Sequence, residues 1–517
     1  MTQVTSFAMA GGLNLVTAPG ATKPGELLYV ENFICSQNGG YQRIGGYERF
    51  DGQPAPSGSV DAGVIAARRA AIQAVPGEGP IRGVWVYKGV VYAFRNAVGG
   101  ASCVMWASSG AGWVSKKTGL TPGGTYRFVN CNFKGSASSV MMYGCSGVHK
   151  AFQWDGTTWT DITTGMATDT PRFIEAHKNY LWLGFANGSL QNSSVGDPTG
   201  AWTPRTGANE IGLGDEITNI VSHKGVLVAY ASNSIHILSG SANSGSDVWA
   251  LNPYTRDGGA LADCARIIGG DVLAWDSPGA TYLQAAQVFG DFAATSLSNK
   301  IKPLANKITP LFALVSKQSG TYRLFASDGR VLCATLAGNA LAGWGQIKYD
   351  RTFTCGCVGE NASGNEVIFA GDGGGYVYQL DSGPSFDGAN IVGILRTAFN
   401  SLGAPTRKKR WRRLVLELSA SSGPVALRVM PDFNFGDFGG SATGMDFDMW
   451  ASGGGGLFDG ADWDGFVFDA GTVGQANVNL SGVATSMGLL FNHISATDAP
   501  FVLAAAHVHY DVWGMQR

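Results

Sequence analysis

The sequence predicts an all-β protein: a β-propeller of about six blades followed by a small antiparallel β-sandwich, with one short helix near the N-terminus. Three observations predict it. The composition is rich in turn formers and aromatics, with 75 glycines among 517 residues, 11% aromatic residues and only 14% charged ones. Aromatic side chains suit pleated surfaces and glycine suits tight turns. A hairpin pattern recurs at roughly 40 to 50 residues, the period of stacked four-stranded units. After Asp381 that pattern gives way to longer alternating strands separated by glycine-rich loops.

Residues 1–58 read as a strap. Within it GGYQRIGGYERFDG (39–52) holds two Gly-Gly-Tyr units, and each glycine pair lets the backbone bend where a Cβ would obstruct it. Tyr41, Arg43, Tyr47 and Arg49 are the expected packing and pairing residues of this strap. Residues 59–80 form a helix and connector, because SVDAGVIAARRAAIQAVPG has apolar residues at helical spacing, Asp61 at its start and Pro76-Gly77 at its end. A second helical or irregular stretch is expected over 292–315.

Residues 81–382 carry the propeller. VWVYKGVVYAFRN (84–96) places Lys88-Gly89 between two alternating strands, and VMWASSGAGWVSKKTG (104–119) follows as a second hairpin. Further copies begin near Lys150, Asn179, Gly225, Asp271, Tyr322 and Glu366. One twisted four-stranded sheet cannot bury both its faces, and radial stacking covers them. Residues 382–393 read as a linker, and 394–517 as the sandwich, with strands such as RRLVLELSA and HVHYDVWGMQ.

A formal net charge of −2 gives no global attraction for nucleic acid or anionic membrane. The eight cysteines stand singly in apolar runs, without the clustered spacing of a disulfide framework or zinc site, and read as buried small hydrophobes of a reducing compartment. No apolar run approaches the length of a membrane-spanning helix, and the start of the chain lacks the pattern of a signal peptide.

No residue pattern specifies an enzyme or a cofactor. WDGTTWTD (154–161) has some features of a sialidase aspartate box, but position 153 is Gln and the pattern does not recur; a hairpin with an Asp-Gly turn between tryptophans accounts for it. GDGGGYVYQL (371–380) leads into a strand and offers phosphate no helix N-terminus. His507 and His509 share one face of a strand and amount to half a metal site at most. The segment 431–470 is acidic, and Asp459, Asp462 and Asp464 on glycine loops are weak candidates for calcium.

The opposite charge lies just upstream. TRKKRWRRL sets Arg407, Lys408, Lys409, Arg410, Arg412 and Arg413 around Trp411, a run fit for contact with a partner or another subunit. A guarded edge strand and a DNA contact remain alternatives.

Four stretches, GGLNLVTAPGATKPGELLYVENFICSQNGGYQRIGGYERFDG, PIRGVWVYKGVVYAFRN, TRKKRWRRLVLEL and HVHYDVWGMQR, resemble those of tailed-bacteriophage virion proteins, namely the propeller-bearing tail hub or tail-accessory proteins of the head-to-tail junction. That resemblance implies a non-enzymatic structural protein without cofactors, assembled in the host cytoplasm into the virion tail or neck. It implies a ring of about six copies around the DNA channel. The ring would join portal or adaptor to other tail proteins or fibres, with genomic DNA passing through without specific binding. The rival expectations are a carbohydrate- or receptor-binding tail protein and a propeller glycosidase, the latter requiring two converging carboxylates.

Overall fold

The computed structural model describes residues 2–7, 9–136, 139–242, 248–277, 279–283, 296–420, 424–433, 447–452 and 473–515. Their regular elements are almost entirely β-strands. Between Glu78 and Leu380 the strands form seven consecutive antiparallel sheets. Five have four strands of meander type, the fifth shows three among the described residues, and the seventh has three that a strand from the N-terminal stretch completes.

The first strands of the sheets are Glu78–Tyr87, Arg127–Cys131, Phe173–His177, Ile217–His223, Arg266–Ile268, Pro310–Ser316 and Phe353–Glu360. Each touches the next, and the seventh returns to the first. Most pairs of neighbouring sheets enclose their own apolar cluster: Tyr92, Phe94, Tyr126 and Trp154 lie between the first and second, and Ile81, Val86, Cys357 and Phe369 between the seventh and first. Repeated sheets that cover one another's faces around an axis have the arrangement of a β-propeller. Seven sheets stand where about six were expected, with five or seven as alternatives. The hairpins at 84–96 and 104–119 belong to one sheet, and each of the other six sequence copies lies in a sheet of its own.

Local sequence explains the hairpins. Lys88-Gly89, Lys178-Asn179 and Lys224-Gly225 all take positive φ at both turn positions, the geometry that matches the strand twist. At the Asp155-Gly156 turn the carboxylate of Asp155 accepts the backbone N–H groups of Thr157 and Thr158 at 2.7 Å. Trp159 stacks on Phe152 at 3.7 Å. The helix is Ala62–Ala71, with the Asp61 side chain accepting from the Val64 N–H at its N-cap. Within 292–315 the described residues hold a helical turn at Asn299–Ile301, the short helix Lys302–Ala305 and the start of a strand.

The C-terminal residues build two further sheets around a shared core that includes Leu414, Leu416, Val425, Leu427, Leu489, Phe491 and Val508. One sheet orders Leu27–Glu31, Ile391–Thr397, Met487–Ser495, Pro424–Phe433 and Phe447–Ser452. The other places Phe501–Met515 beside Arg407–Ala420 and then Val473–Ala484. Through Tyr41–Arg43 and Phe33–Cys35 this second sheet continues into the sixth propeller sheet, giving ten strands in all. Strand Gln3–Phe7 also pairs with Phe501–Met515. Residues 1–58 therefore supply strands to three sheets, and Tyr47–Phe50 is the fourth strand of the seventh propeller sheet, paired with Val377–Leu380.

The chain crosses between these two regions twice, at 44–46 and at 381–390, and the crossings lie side by side. Gly46 N–H donates to the Gly383 carbonyl at 2.8 Å, Ser382 N–H to the Gly46 carbonyl at 3.1 Å, and Tyr47 N–H to the Ser385 carbonyl at 3.0 Å. A Cβ on Gly46 would run into the Ser385 backbone, whereas one on Gly39 meets nothing within 4 Å. Gly46→Ala is expected to cost about 2–4 kcal/mol in urea unfolding. Gly39→Ala, which adds only the penalty of positive φ, is expected to cost about 1 kcal/mol.

His177, buried between the third and fourth sheets with Nδ1 2.8 Å from Ser222 Oγ, has its pKa pulled down to about 4 by desolvation and by Lys178. The unfolded chain takes up that proton near pH 6.5, so the contribution is whole above about 6.5 and is lost as pH falls toward 4, by about 2–3 kcal/mol. His177→Gln should flatten the urea midpoint over that window relative to the parent protein.

Candidate functional site

Two surfaces gather the residues that the sequence singles out. The first is the seam between the propeller and the C-terminal sheets. Tyr41 is buried, accepts the Gly12 N–H at 3.2 Å and donates to the Gly25 carbonyl at 2.5 Å, which fixes the preceding loop. Arg43, also buried, donates to the carbonyls of Asp498, Pro384 and Ser495 at 2.8, 3.1 and 3.2 Å. Desolvation pulls its pKa down to about 10. This one guanidinium thereby holds the second crossing against the loop after Met487–Ser495.

Tyr47 is enclosed by rings, stacked on Phe386 at 5.1 Å and edge-on to Tyr378 at 5.2 Å. Its hydroxyl bonds Asp350 and accepts from Arg351 Nε at 2.7 Å, while the Arg351 guanidinium also lies over the Tyr378 ring at 4.5 Å. Arg49 pairs with Asp387 at 2.6 Å and lies over Tyr376 at 4.9 Å. Arg69 of the helix reaches the other oxygen of Asp387 at 3.3 Å. Residues 382–390 thus form a packed joint where a plain linker was expected. Arg351 and Asp387 carry no sequence signal, because their partners lie far away along the chain.

The second surface is the basic run. Arg407–Ala420 is hydrogen-bonded on both sides, to Val473–Ala484 and to Phe501–Met515, so the edge-strand reading is wrong: an edge strand has one free side, and this one has none. The run also divides by face. Trp411 is buried, and so is Lys409, whose Nζ donates to the carbonyls of Ala404, Arg407 and Thr485 at 2.7, 3.2 and 2.8 Å. Desolvation lowers its pKa. Those two residues belong to the interior.

Arg407, Lys408, Arg410, Arg412 and Arg413 remain exposed. An irregularity between Trp411 and Arg413 turns both Arg412 and Arg413 outward. Arg412 pairs with Asp511 at 2.7 Å, and the half-exposed geometry makes that pair worth little. Arg410 and Arg413 make no ion pair among the described residues. Val4 and Val483, 57% and 41% exposed, lie on strands of the same sheet.

The remaining candidates are dispersed. His507 sits between Ser6 Oγ at 2.8 Å and Glu417 at 3.1 Å, and among the described residues neither it nor His509 joins a cluster of three metal-capable side chains. Asp459, Asp462 and Asp464 lie outside the described residues. The glycines at 373–375 make a hairpin turn in which Asp372 accepts the Tyr376 N–H at 2.9 Å. All eight cysteines are free, and burial pushes the Cys355 thiol up to about 12.

No family model matches the chain, and no curated protein matches it. Solved structures with a similar course of the chain include the WD40 domain of Toxoplasma gondii coronin, at 10% identity and a TM-score of 0.42, covering 68% of this chain and 86% of that one. U3-55K is similar at 11% identity and a TM-score of 0.41, covering 60% and 98%. The RRP9 WD40 repeats give 11% identity and a TM-score of 0.41, covering 60% and 97%. Nothing about the chemistry of this chain follows from likenesses at that level.

The division of the basic run by face has a measurable consequence. Lys409→Ala strands three carbonyls and should lower stability by about 2–3 kcal/mol in urea unfolding. Arg410→Ala and Arg413→Ala should stay within about 0.5 kcal/mol of the parent protein.

Proposed function

We propose that this chain is a non-enzymatic structural protein of a phage tail or neck, with a seven-bladed propeller and a C-terminal β-sandwich that dock against copies of the same chain and against neighbouring virion proteins. One observation carries the reading. The stretches that resemble tail hub and tail-accessory proteins come together as pairing strands: Tyr41–Arg43 and Arg407–Ala420 both pair with Phe501–Met515, and Tyr47–Phe50 completes the last propeller sheet. Residues whose work is to hold one sheet to another suit a protein whose task is architecture.

In this reading the outward face of the second C-terminal sheet is the contact surface. Exposed arginines beside exposed valines suit burial against protein better than permanent exposure to water, since arginine is favoured where charge and contact area are both needed. The ring surrounds the DNA channel and joins portal or adaptor to distal tail parts or fibres. DNA passes through without specific binding, and no cofactor takes part.

Arg410→Glu, Arg412→Glu and Arg413→Glu together test this on tagged protein expressed during infection. Thermal unfolding should move by no more than about 2 °C. Incorporation into particles, read by immunoblot of purified virions and by labelled electron micrographs, should fall at least about tenfold. Full incorporation of the triple variant, or absence of the parent protein from purified particles, would refute the proposal.

A further inference from the structure

The seven first strands enclose an axial cavity of about 600 Å³. Its exposed walls are polar and apolar in nearly equal parts, and two of the apolar side chains that line it, Ile267 and Leu311, are 44% and 36% exposed. Water in contact with such side chains is easily displaced by an apolar guest.

The cavity also holds charge that does not cancel. Arg127 and Asp263 neutralise each other through two bonds of 2.6 Å. Arg266 donates Nε to the Ala313 carbonyl at 2.9 Å and Nη1 to the Ala265 carbonyl at 3.0 Å, and has no carboxylate within ion-pair distance among the described residues. Its Nη2 is left for a guest. Glu175, the carboxyl whose field reaches Arg266, accepts the Ala176 N–H at 2.9 Å.

We propose that this cavity binds a small organic carboxylate with an apolar body, its carboxylate held by Arg266 and Glu175 and its hydrocarbon laid against Ile267, Leu311 and Leu314. A carboxylate supplies the charge that Arg266 lacks, and the bond to a guanidinium is of the strong, charge-assisted kind. Glu175 assists when protonated, by donating to the same anion. Desolvation raises its pKa to about 7, so it carries a proton part of the time near neutrality. Of the other titratable groups near Glu175, burial raises the pKa of the Cys131 thiol, which stays neutral. Arg127 and Asp263 compensate each other, and the Cys355 and Cys357 thiols are likewise kept neutral by burial. This inference goes beyond the architectural role and does not depend on it.

Calorimetric titration of the full chain with hexanoate, hexanamide and hexylamine tests it. Hexanoate is expected to bind, with hexanamide and hexylamine at least about tenfold weaker. Arg266→Gln should lose about tenfold of the hexanoate affinity. Affinity should fall by up to about tenfold from about pH 6 to about pH 8 as Glu175 ionises, and Glu175→Gln should remove that dependence. Leu311→Trp, which fills the cavity without altering a charged group, should abolish binding with an unchanged circular dichroism spectrum, and it decides the matter should Arg266→Gln fail to fold. The proposal is overturned if hexanoate gives no heat, if hexanamide or hexylamine binds as well, or if Leu311→Trp still binds.

Discussion

The ring of sheets is closed by a piece of chain that is not next in sequence, and that closure governs much else. The last propeller sheet holds three strands of its own, and Tyr47–Phe50 supplies the fourth. To reach that position the chain leaves the C-terminal sheets at 44–46, and 381–390 must return through the same gap. Two backbones in close parallel passage leave no room for a Cβ at Gly46. The paired glycines of the N-terminal stretch therefore serve different ends: Gly39 and Gly40 turn the chain with positive φ, and Gly46 admits the returning strand.

The polar groups at the seam follow from the same closure. Crossing segments cannot satisfy all their carbonyls with regular sheet pairing, and buried carbonyls require donors. Arg43 answers that need with a fork that meets three carbonyls on two segments. Asp381, at the start of the returning crossing, is held by buried Arg323 of the sixth sheet through two bonds of 2.9 and 2.6 Å. Cations whose bonds require a given arrangement of carbonyls favour one relative placement of the parts over others, at a cost in desolvation.

Much of the local structure was legible in the sequence, because its causes are local. Lys88-Gly89 between alternating strands announces a hairpin, and Asp61 before an alanine-rich run announces a capped helix. Pairing across long separations was not: nothing near Tyr41 points to Leu503, and the number of sheets cannot be counted from hairpins that are themselves only half a sheet. In the basic run the charge pattern concealed the burial pattern. Lys409 and Trp411 share a parity, and Leu414, Leu416 and Leu418 continue the same face once the irregularity at Trp411 is allowed for. Read by parity, the run has an interior side; read by charge, it resembles a guarded edge. The axial cavity had no sequence signal, since Glu175 and Arg266 line one cavity only when strands of different sheets are drawn to one axis.

The doubled crossing has a mechanical side as well. A body attached through one peptide segment swivels, because single bonds in that segment are free axes. Here two segments, paired in parallel at Tyr47 and Phe386 and braced by Arg43, act as a ribbon rather than a string. A continuous ten-stranded sheet runs beside them. Torque applied to the C-terminal sheets therefore works against both segments at once, and a nick in either one would leave two fragments held together only by the pairing between their strands.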